Sequence, residues 1–93
     1  AWRPNYDDLQ QDQQLSNGRH FVFSGMIKDI IETGDKNIFT INVSEQSESE
    51  QLCYVEYWGS FDYSIGDSIR VFANRWGNKD DIPRFLAKYI YDR

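Results

Sequence analysis

From His20 onward, apolar and polar residues alternate along most of the chain. Successive side chains of a β-strand point to opposite faces, so an alternation of this kind predicts strands rather than helices. The predicted strands cover residues 20–32, 39–43, 52–58, 68–74 and 84–91. We expect the first strand to bend at Gly25, because glycine inside a strand often marks a bulge or a barrel corner. Pro83 cannot donate a hydrogen bond to a sheet, so it should lie where the last strand begins.

Residues 1–17 differ from the rest and form a separate predicted unit, with the β-rich unit at residues 18–93. The stretch from Asn5 to Leu15 contains no β-branched residue. Asn5 can cap a helix, and Asp7 and Asp8 suit a first turn because they oppose the positive end of the helix dipole. We expect one short N-terminal helix that packs on the mouth of the β domain and ends at Asn17-Gly18.

Five short strands joined by short connections favour an all-β domain in which an antiparallel sheet closes into a small barrel. Closure removes the exposed strand edges that would otherwise invite pairing with other chains. We expect a five-stranded antiparallel OB-type barrel, with an SH3-like barrel as the alternative, since periodicity does not separate the two. A chain of 93 residues has the size of a single core.

Several short motifs resemble those of the tRNA-anticodon-like family of OB domains. They are Tyr6-Asp-Asp-Leu9, Phe23-Ser-Gly-Met-Ile27, Cys53-Tyr-Val-Glu-Tyr57, Ile65-Gly-Asp67 and Ile82-Pro83. The resemblance spans the chain except residues 1–4, and it implies the OB barrel. Similar domains occur in small exported or membrane-anchored bacterial proteins, so it also implies an extracytoplasmic location. The motif residues serve turns, a bend and the core, and they imply no activity.

The charge of the chain is negative overall and unevenly distributed. The net charge is −5, which opposes the approach of phosphate at long range. Residues 1–69 carry four basic and twelve acidic side chains, whereas residues 70–93 carry six basic and three acidic ones, so the two parts have net charges of −8 and +3. Two interpretations follow: a mixed solvated surface, or a basic edge on an acidic body.

The sequence contains no recognisable catalytic, metal or cofactor site. His20 is the single histidine and Cys53 the single cysteine, and Cys53 lies on the predicted core face, where a thiol is inert. One Cys and one His cannot form a zinc site. Asp80-Asp81 and the acidic stretch 45–50 lack the ligand spacing of a calcium loop. Glycine-rich phosphate-binding motifs are absent. We therefore expect no enzyme activity, no metal and no cofactor.

One surface carries residues suited to ligand binding. OB domains bind ligands on strands 2 and 3 and through the loops between strands 1–2 and 4–5. The candidate ligand-binding residues at those positions are Tyr54, Trp58, Arg75, Trp76 and Lys79. Aromatic rings with cations suit base stacking, a sugar ring or a peptide. In the alternative interpretation, Trp58 closes the barrel mouth and Trp76 packs over the helix.

These observations lead to an expected class of function. We expect a non-catalytic interaction module of a larger, surface-anchored bacterial protein that contacts a protein or a glycan. The alternative is a single-stranded nucleic-acid-binding OB domain, which the net charge disfavours. No stretch approaches the roughly 20 apolar residues of a membrane span. The chain begins at Ala1 rather than Met, so we expect any anchor or export signal to lie outside it; without one, the location would be cytoplasmic.

Overall fold

The computed structural model describes residues 20–43 and 50–92. In these ranges the chain forms β1 (His20–Glu32), β2 (Asn37–Asn42), β3 (Leu52–Tyr57), β4 (Ser68–Lys79) and β5 (Ile82–Asp92). No helix that could cross a membrane occurs in them. The predicted N-terminal helix, the whole 1–17 unit and the acidic residues 44–49 lie outside the described ranges.

The five strands close into a barrel in the order β1-β2-β3-β5-β4, which confirms the predicted all-β, five-stranded barrel. The long β1 pairs with β4 through residues 20–26 and with β2 through residues 26–32. Four of the pairings are antiparallel, but β3 and β5 run parallel. The prediction of an entirely antiparallel barrel is therefore wrong at this seam. Alternation fixes which face a side chain takes, and it carries no information about the relative direction of strands that are distant in sequence.

Gly25 lies where β1 turns from its pairing with β4 toward its pairing with β2. A Cβ atom at this position would lie 2.5 Å from the carbonyl oxygen of Asn42 and 3.3 Å from the Cα atom of Val43. Real Cβ atoms do not approach backbone so closely. The predicted bend is therefore present at Gly25, and it needs glycine because the β2 backbone crosses directly above it.

The hairpin between β4 and β5 is longer than the sequence pattern predicts. We expected β4 to end at residue 74 and a loop to contain Trp76-Gly77-Asn78, but the strand continues to Lys79. The turn consists of Asp80 and Asp81, whose φ angles are 52° and 64°. Aspartate tolerates this left-handed conformation, which two-residue hairpin turns require. The expected loop residues are therefore strand residues.

Inward-facing side chains of all five strands fill the barrel. The buried apolar residues are Phe21, Phe23, Ile27, Phe39, Ile41, Cys53, Val55, Ile69, Val71, Ala73, Phe85 and Ala87. Phe85 lies among other rings, with its centroid 5.7 Å from that of Phe21 and 4.7 Å from that of Phe23. At one end of the barrel, Phe61 from the β3–β4 connection packs on Phe39 at 4.8 Å. The outer faces of the strands are thereby left for contacts with other molecules.

Candidate functional site

A group of two aromatic and two basic side chains lies on the outer surface where β3 meets β5. The parallel seam places Tyr54 beside Arg84. The Lys79 ammonium nitrogen lies 4.9 Å from the centre of the Tyr54 ring, and the Arg84 guanidinium lies 4.7 Å from that of Trp76. Arg84 also donates a hydrogen bond from Nε to the Trp76 carbonyl oxygen at 2.8 Å. We call Tyr54, Trp76, Lys79 and Arg84 the aromatic–cation cluster.

Half of the cluster is open to solvent: Trp76 and Lys79 are exposed, whereas Tyr54 and Arg84 are half-buried. The Trp76 side chain is 47% exposed, although a tryptophan normally buries most of its surface. Contacts of this kind between a cation and an exposed ring contribute about 0.5–1 kcal/mol each. They are strong enough to orient the rings and too weak to prevent a ligand from displacing the cations. The alternative in which Trp76 packs over the predicted helix involves residues outside the described ranges.

A third aromatic ring lies just after the end of β3. Trp58 is 60% exposed, so the interpretation that it closes the barrel mouth is wrong. Its indole Nε1 donates to Glu56 Oε2 at 2.7 Å, and Lys36 lies 6.0 Å from its ring centre. Four residues separate Trp58 from Tyr54, which corresponds to about 13 Å along a strand. This end of the surface therefore repeats the combination of ring and cation.

Asn37 positions the chain segment that carries Trp58. Its side chain is buried, with 1% exposure. Nδ2 donates to the carbonyl oxygens of Tyr57 at 3.0 Å and Gly59 at 2.9 Å, and Oδ1 accepts from the Gly34 amide at 3.2 Å. One amide thus ties the β1–β2 turn to the residues on both sides of Trp58. This role was not predicted from the sequence, although Asn37 points inward like the other alternate residues of β2.

Arg75 was predicted to bind ligand, and the structure contradicts this. It is 1% exposed and lies inside the barrel, its guanidinium 5.5 Å from the centre of the Phe85 ring. Its Nη1 donates to the Arg84 carbonyl oxygen at 3.2 Å, and Nη2 donates to Asn78 Oδ1. Burial lowers the pKa of this guanidinium. The error follows from ending β4 too early, because continuing the alternation of Ile69, Val71 and Ala73 by one step places residue 75 inside.

Two basic residues on this surface were not among the binding residues predicted from the sequence. Arg84 contacts Trp76 within the β4–β5 hairpin and lies beside Tyr54 through the parallel β3–β5 pairing, and no local pattern indicates the second of these. Lys36 lies in the β1–β2 turn, which is one of the loops that OB domains use. Its position in that loop was therefore a usable signal. With these corrections, the candidate surface consists of Lys36, Tyr54, Trp58, Trp76, Lys79 and Arg84.

His20 and Cys53 do not form a catalytic pair. His20 is exposed on the outer face, 5.5 Å from the Phe72 ring centre, whereas Cys53 is 2% exposed and points into the barrel. The barrel wall separates the two side chains. Among residues 20–43 and 50–92, no group of three or more His, Cys, Asp or Glu side chains could hold a metal ion.

The buried Cys53 thiol is expected to resist alkylation. Burial raises the pKa of Cys53 from 9.0 to about 12, against the opposing effect of Arg75. Only the thiolate reacts, so at pH 8 the folded protein should be alkylated by iodoacetamide about a thousandfold more slowly than a free cysteine. Mass spectrometry of native and urea-unfolded protein would measure this. Equal rates in both states would show that Cys53 is accessible.

Comparisons with known proteins bear on the fold more than on the activity. No family model matches the chain. A curated protein, the 2-oxoglutarate-dependent dioxygenase htyE of Aspergillus rugulosus, is 35% identical over 54 residues, which cover 58% of this chain but only 16% of the dioxygenase. So short a match does not establish a shared family.

Among solved structures, a chain of a replication protein A heterotrimer bound to single-stranded DNA is similar, with a TM-score of 0.59 and 10% sequence identity. The match covers 82% of this chain and 57% of that one. At this identity the likeness concerns the fold alone. Together with the closed five-stranded barrel, it supports an OB-like fold over the SH3-like alternative, and the domain accordingly has an OB-like architecture.

Proposed function

We propose that this domain binds single-stranded nucleic acid on the outer surface of β3 and β5. The observation that carries the proposal is the aromatic–cation cluster, in which the partly exposed Tyr54 ring and the exposed Trp76 ring each lie beside a basic side chain. Bases stack on aromatic side chains with little dependence on sequence, and basic groups hold the phosphates. The structural neighbour, a chain of a replication protein A heterotrimer bound to single-stranded DNA, supports this choice of ligand.

The negative net charge makes the expected binding modest and salt-dependent. Lys36, Lys79 and Arg84 are the cations that flank the exposed rings. For a single strand, each neutralised phosphate contributes about −0.7 to the slope of log K against log salt. Three phosphate contacts therefore predict a slope of about −2. The acidic remainder of the domain lowers the affinity without removing these local contacts.

The test is a fluorescence-anisotropy titration of a labelled oligodeoxythymidine of about six nucleotides, at about 20 mM salt and again at higher salt. We expect Trp76→Ala to weaken binding by about 1–3 kcal/mol, because one base loses its stacking partner. Ile65→Ala is the control, since Ile65 is also exposed, at 63%, but lies in the β3–β4 connection. An affinity unchanged by Trp76→Ala, or no binding at low salt, would contradict the proposal.

A protein or glycan partner is the second candidate, and the net charge of −5 favours it. Tryptophan, tyrosine and arginine dominate binding hot spots between proteins, and the same rings can stack on sugars. Under this alternative, oligonucleotides fail to bind at low salt. A glycan array or an affinity capture that depends on Trp58 and Trp76 would then identify the partner.

We also infer that the domain is a non-catalytic member of the tRNA-anticodon-like type, in an exported bacterial protein. The placement of one motif supports the family: Phe23 and Ile27 are buried in the barrel and Gly25 lies at the bend of β1. The burial of Cys53 supports the absence of nucleophilic catalysis. Sequencing the flanking gene region for an export signal or anchor would test the location.

A further inference from the structure

A row of aromatic side chains follows the outer surface of β4 and β5, beyond the aromatic–cation cluster. The Phe72 ring centre lies 5.5 Å from that of His20 and 6.0 Å from that of Tyr89. The Tyr89 and Tyr91 rings lie 6.3 Å apart with an angle of 26° between their planes, and they are 56% and 51% exposed. We call Phe72, Tyr89 and Tyr91 the aromatic row. Its two tyrosines each expose about half of their side-chain surface to solvent.

A bulge in β5 creates this row. Phe72 pairs with Tyr89 and Ala73 pairs with Ala87, so Lys88 is an extra residue opposite β4. From the alternation alone, Tyr89 would share the inward face of Phe85 and Ala87. The extra residue reverses the order of inward and outward side chains along β5. As a result, Tyr89 and Tyr91 point outward and Ile90 packs against the core. Bulges often redirect side chains in this way at functional surfaces.

The aromatic row lies on strand segments that carry few carboxylates. Residues 20–26, 68–79 and 82–91 contain no Asp or Glu, whereas Asp92 ends β5 next to Tyr91, and Asp80 and Asp81 form the β4–β5 turn. Arg70 pairs with Tyr91 across the strands, and Lys88 precedes Tyr89; both basic side chains are exposed. The uneven charge of the sequence thus becomes a basic surface along β4 and β5. Such a surface complements a polyanion, although the protein as a whole is acidic.

The row shares strand β5 with the candidate site. Arg84 belongs to the aromatic–cation cluster, and Tyr89 and Tyr91 lie five and seven residues further along the same strand. At about 3.3 Å per residue, the two surfaces are about 17–23 Å apart along β5. At about 3.4 Å per nucleotide, this distance corresponds to about 5–7 nucleotides, which is within the roughly 4–16 that single OB domains occupy.

We propose that a single strand bound at the aromatic–cation cluster continues along β5, with bases stacked on Tyr89 and Tyr91 and phosphates near Lys88 and Arg70. The proposal rests on the proposed function and extends it, because it assigns a second binding surface outside strands 2 and 3 and the loops that OB domains use. Its direct consequence is a dependence of affinity on ligand length. A strand that reaches both surfaces binds more tightly than one that fills only the first.

The experiment compares labelled oligodeoxythymidines of about four nucleotides, too short to span both surfaces, and of about sixteen nucleotides, using the whole 93-residue chain. The variants are Tyr89→Ala, Tyr91→Ala, Trp76→Ala and the control Ile65→Ala, all at exposed positions. We expect the longer strand to bind the wild type at least tenfold more tightly. We expect Tyr89→Ala and Tyr91→Ala each to weaken the longer strand about tenfold and to leave the shorter one unchanged, with Trp76→Ala weakening both.

The outcomes separate the two proposals. If the shorter strand binds but the tyrosine variants leave the longer strand unaffected, the extended surface is wrong while the proposed function stands. If only the longer strand binds, and only the tyrosines matter, the extended surface stands and the aromatic–cation cluster does not. If neither strand binds, both are wrong, and the aromatic row would be a candidate surface for a protein partner.

Discussion

Replacing Phe85 with alanine is expected to lower the free energy of unfolding by about 3–5 kcal/mol. Phe85 is fully buried, and its ring contacts those of Phe21 and Phe23 while the Arg75 guanidinium lies over it. Truncation would leave a cavity at the centre of the barrel and remove the ring on which a buried cation rests. Urea unfolding followed by circular dichroism would measure the change.

Tyr89→Ala on the same strand is the matched control, because Tyr89 is an aromatic residue of similar size that faces solvent. We expect it to change the unfolding free energy by less than about 1 kcal/mol. A domain of this size has only about 5–15 kcal/mol in total, so Phe85→Ala could abolish folding; Phe85→Leu then gives a smaller loss that can be measured. Equal midpoints for Phe85→Leu and the wild type would contradict the described core.

Replacing Asn37 with aspartate is expected to cost about 2–4 kcal/mol at pH 7, although the two side chains have nearly the same shape. The amide donates to the carbonyl oxygens of Tyr57 and Gly59. A carboxylate would donate to neither and would place a buried negative charge against two oxygen atoms. The loss should therefore appear in the unfolding free energy, measured in urea at several pH values.

The pH dependence makes this prediction specific. Burial beside two carbonyl oxygens would raise the pKa of the introduced carboxyl in the folded state above its unfolded value of about 3.9. The difference from the wild type should then be smallest below about pH 4 and should grow as the pH rises to the folded pKa. Asp35→Asn, an exposed exchange in the same turn, is the control. A pH-independent difference would mean that Asn37 acts by shape alone.

The sequence predicted the local features of this domain better than its long-range pairings. The inward phase of Cys53 and Val55, the bend at Gly25 and the position of Pro83 all follow from rules that operate within one strand. The parallel β3–β5 seam follows from no such rule, because it depends on how distant strands meet. The length of the β4–β5 hairpin was missed since Trp76-Gly77-Asn78 has the composition of a loop.

The same distinction explains the candidate site. Tyr54 and Trp58 were recognisable from residue type and strand position, Trp76 and Lys79 from residue type and a predicted loop position, and all four lie on the outer surface. Arg84 was not, because its place beside Tyr54 exists only when the barrel is closed. Arg75 was misassigned because β4 was ended one residue too early. Continuing the inward–outward alternation of β4 by one step places residue 75 inside the barrel instead of in a loop. A strand that is predicted to end too early therefore assigns the residues near its end to the wrong side of the barrel, and in this domain that error affected a predicted binding residue.

The parallel seam has a consequence for how a ligand would affect the barrel. Tyr54 and Arg84 come from strands that no short connection joins, and they meet only across this seam. A ligand that contacts both would hold β3 and β5 together, since separating the two strands would break its contacts. Ligand binding and barrel opening would then be mutually exclusive, and occupancy would slow the exchange of amide hydrogens along the seam.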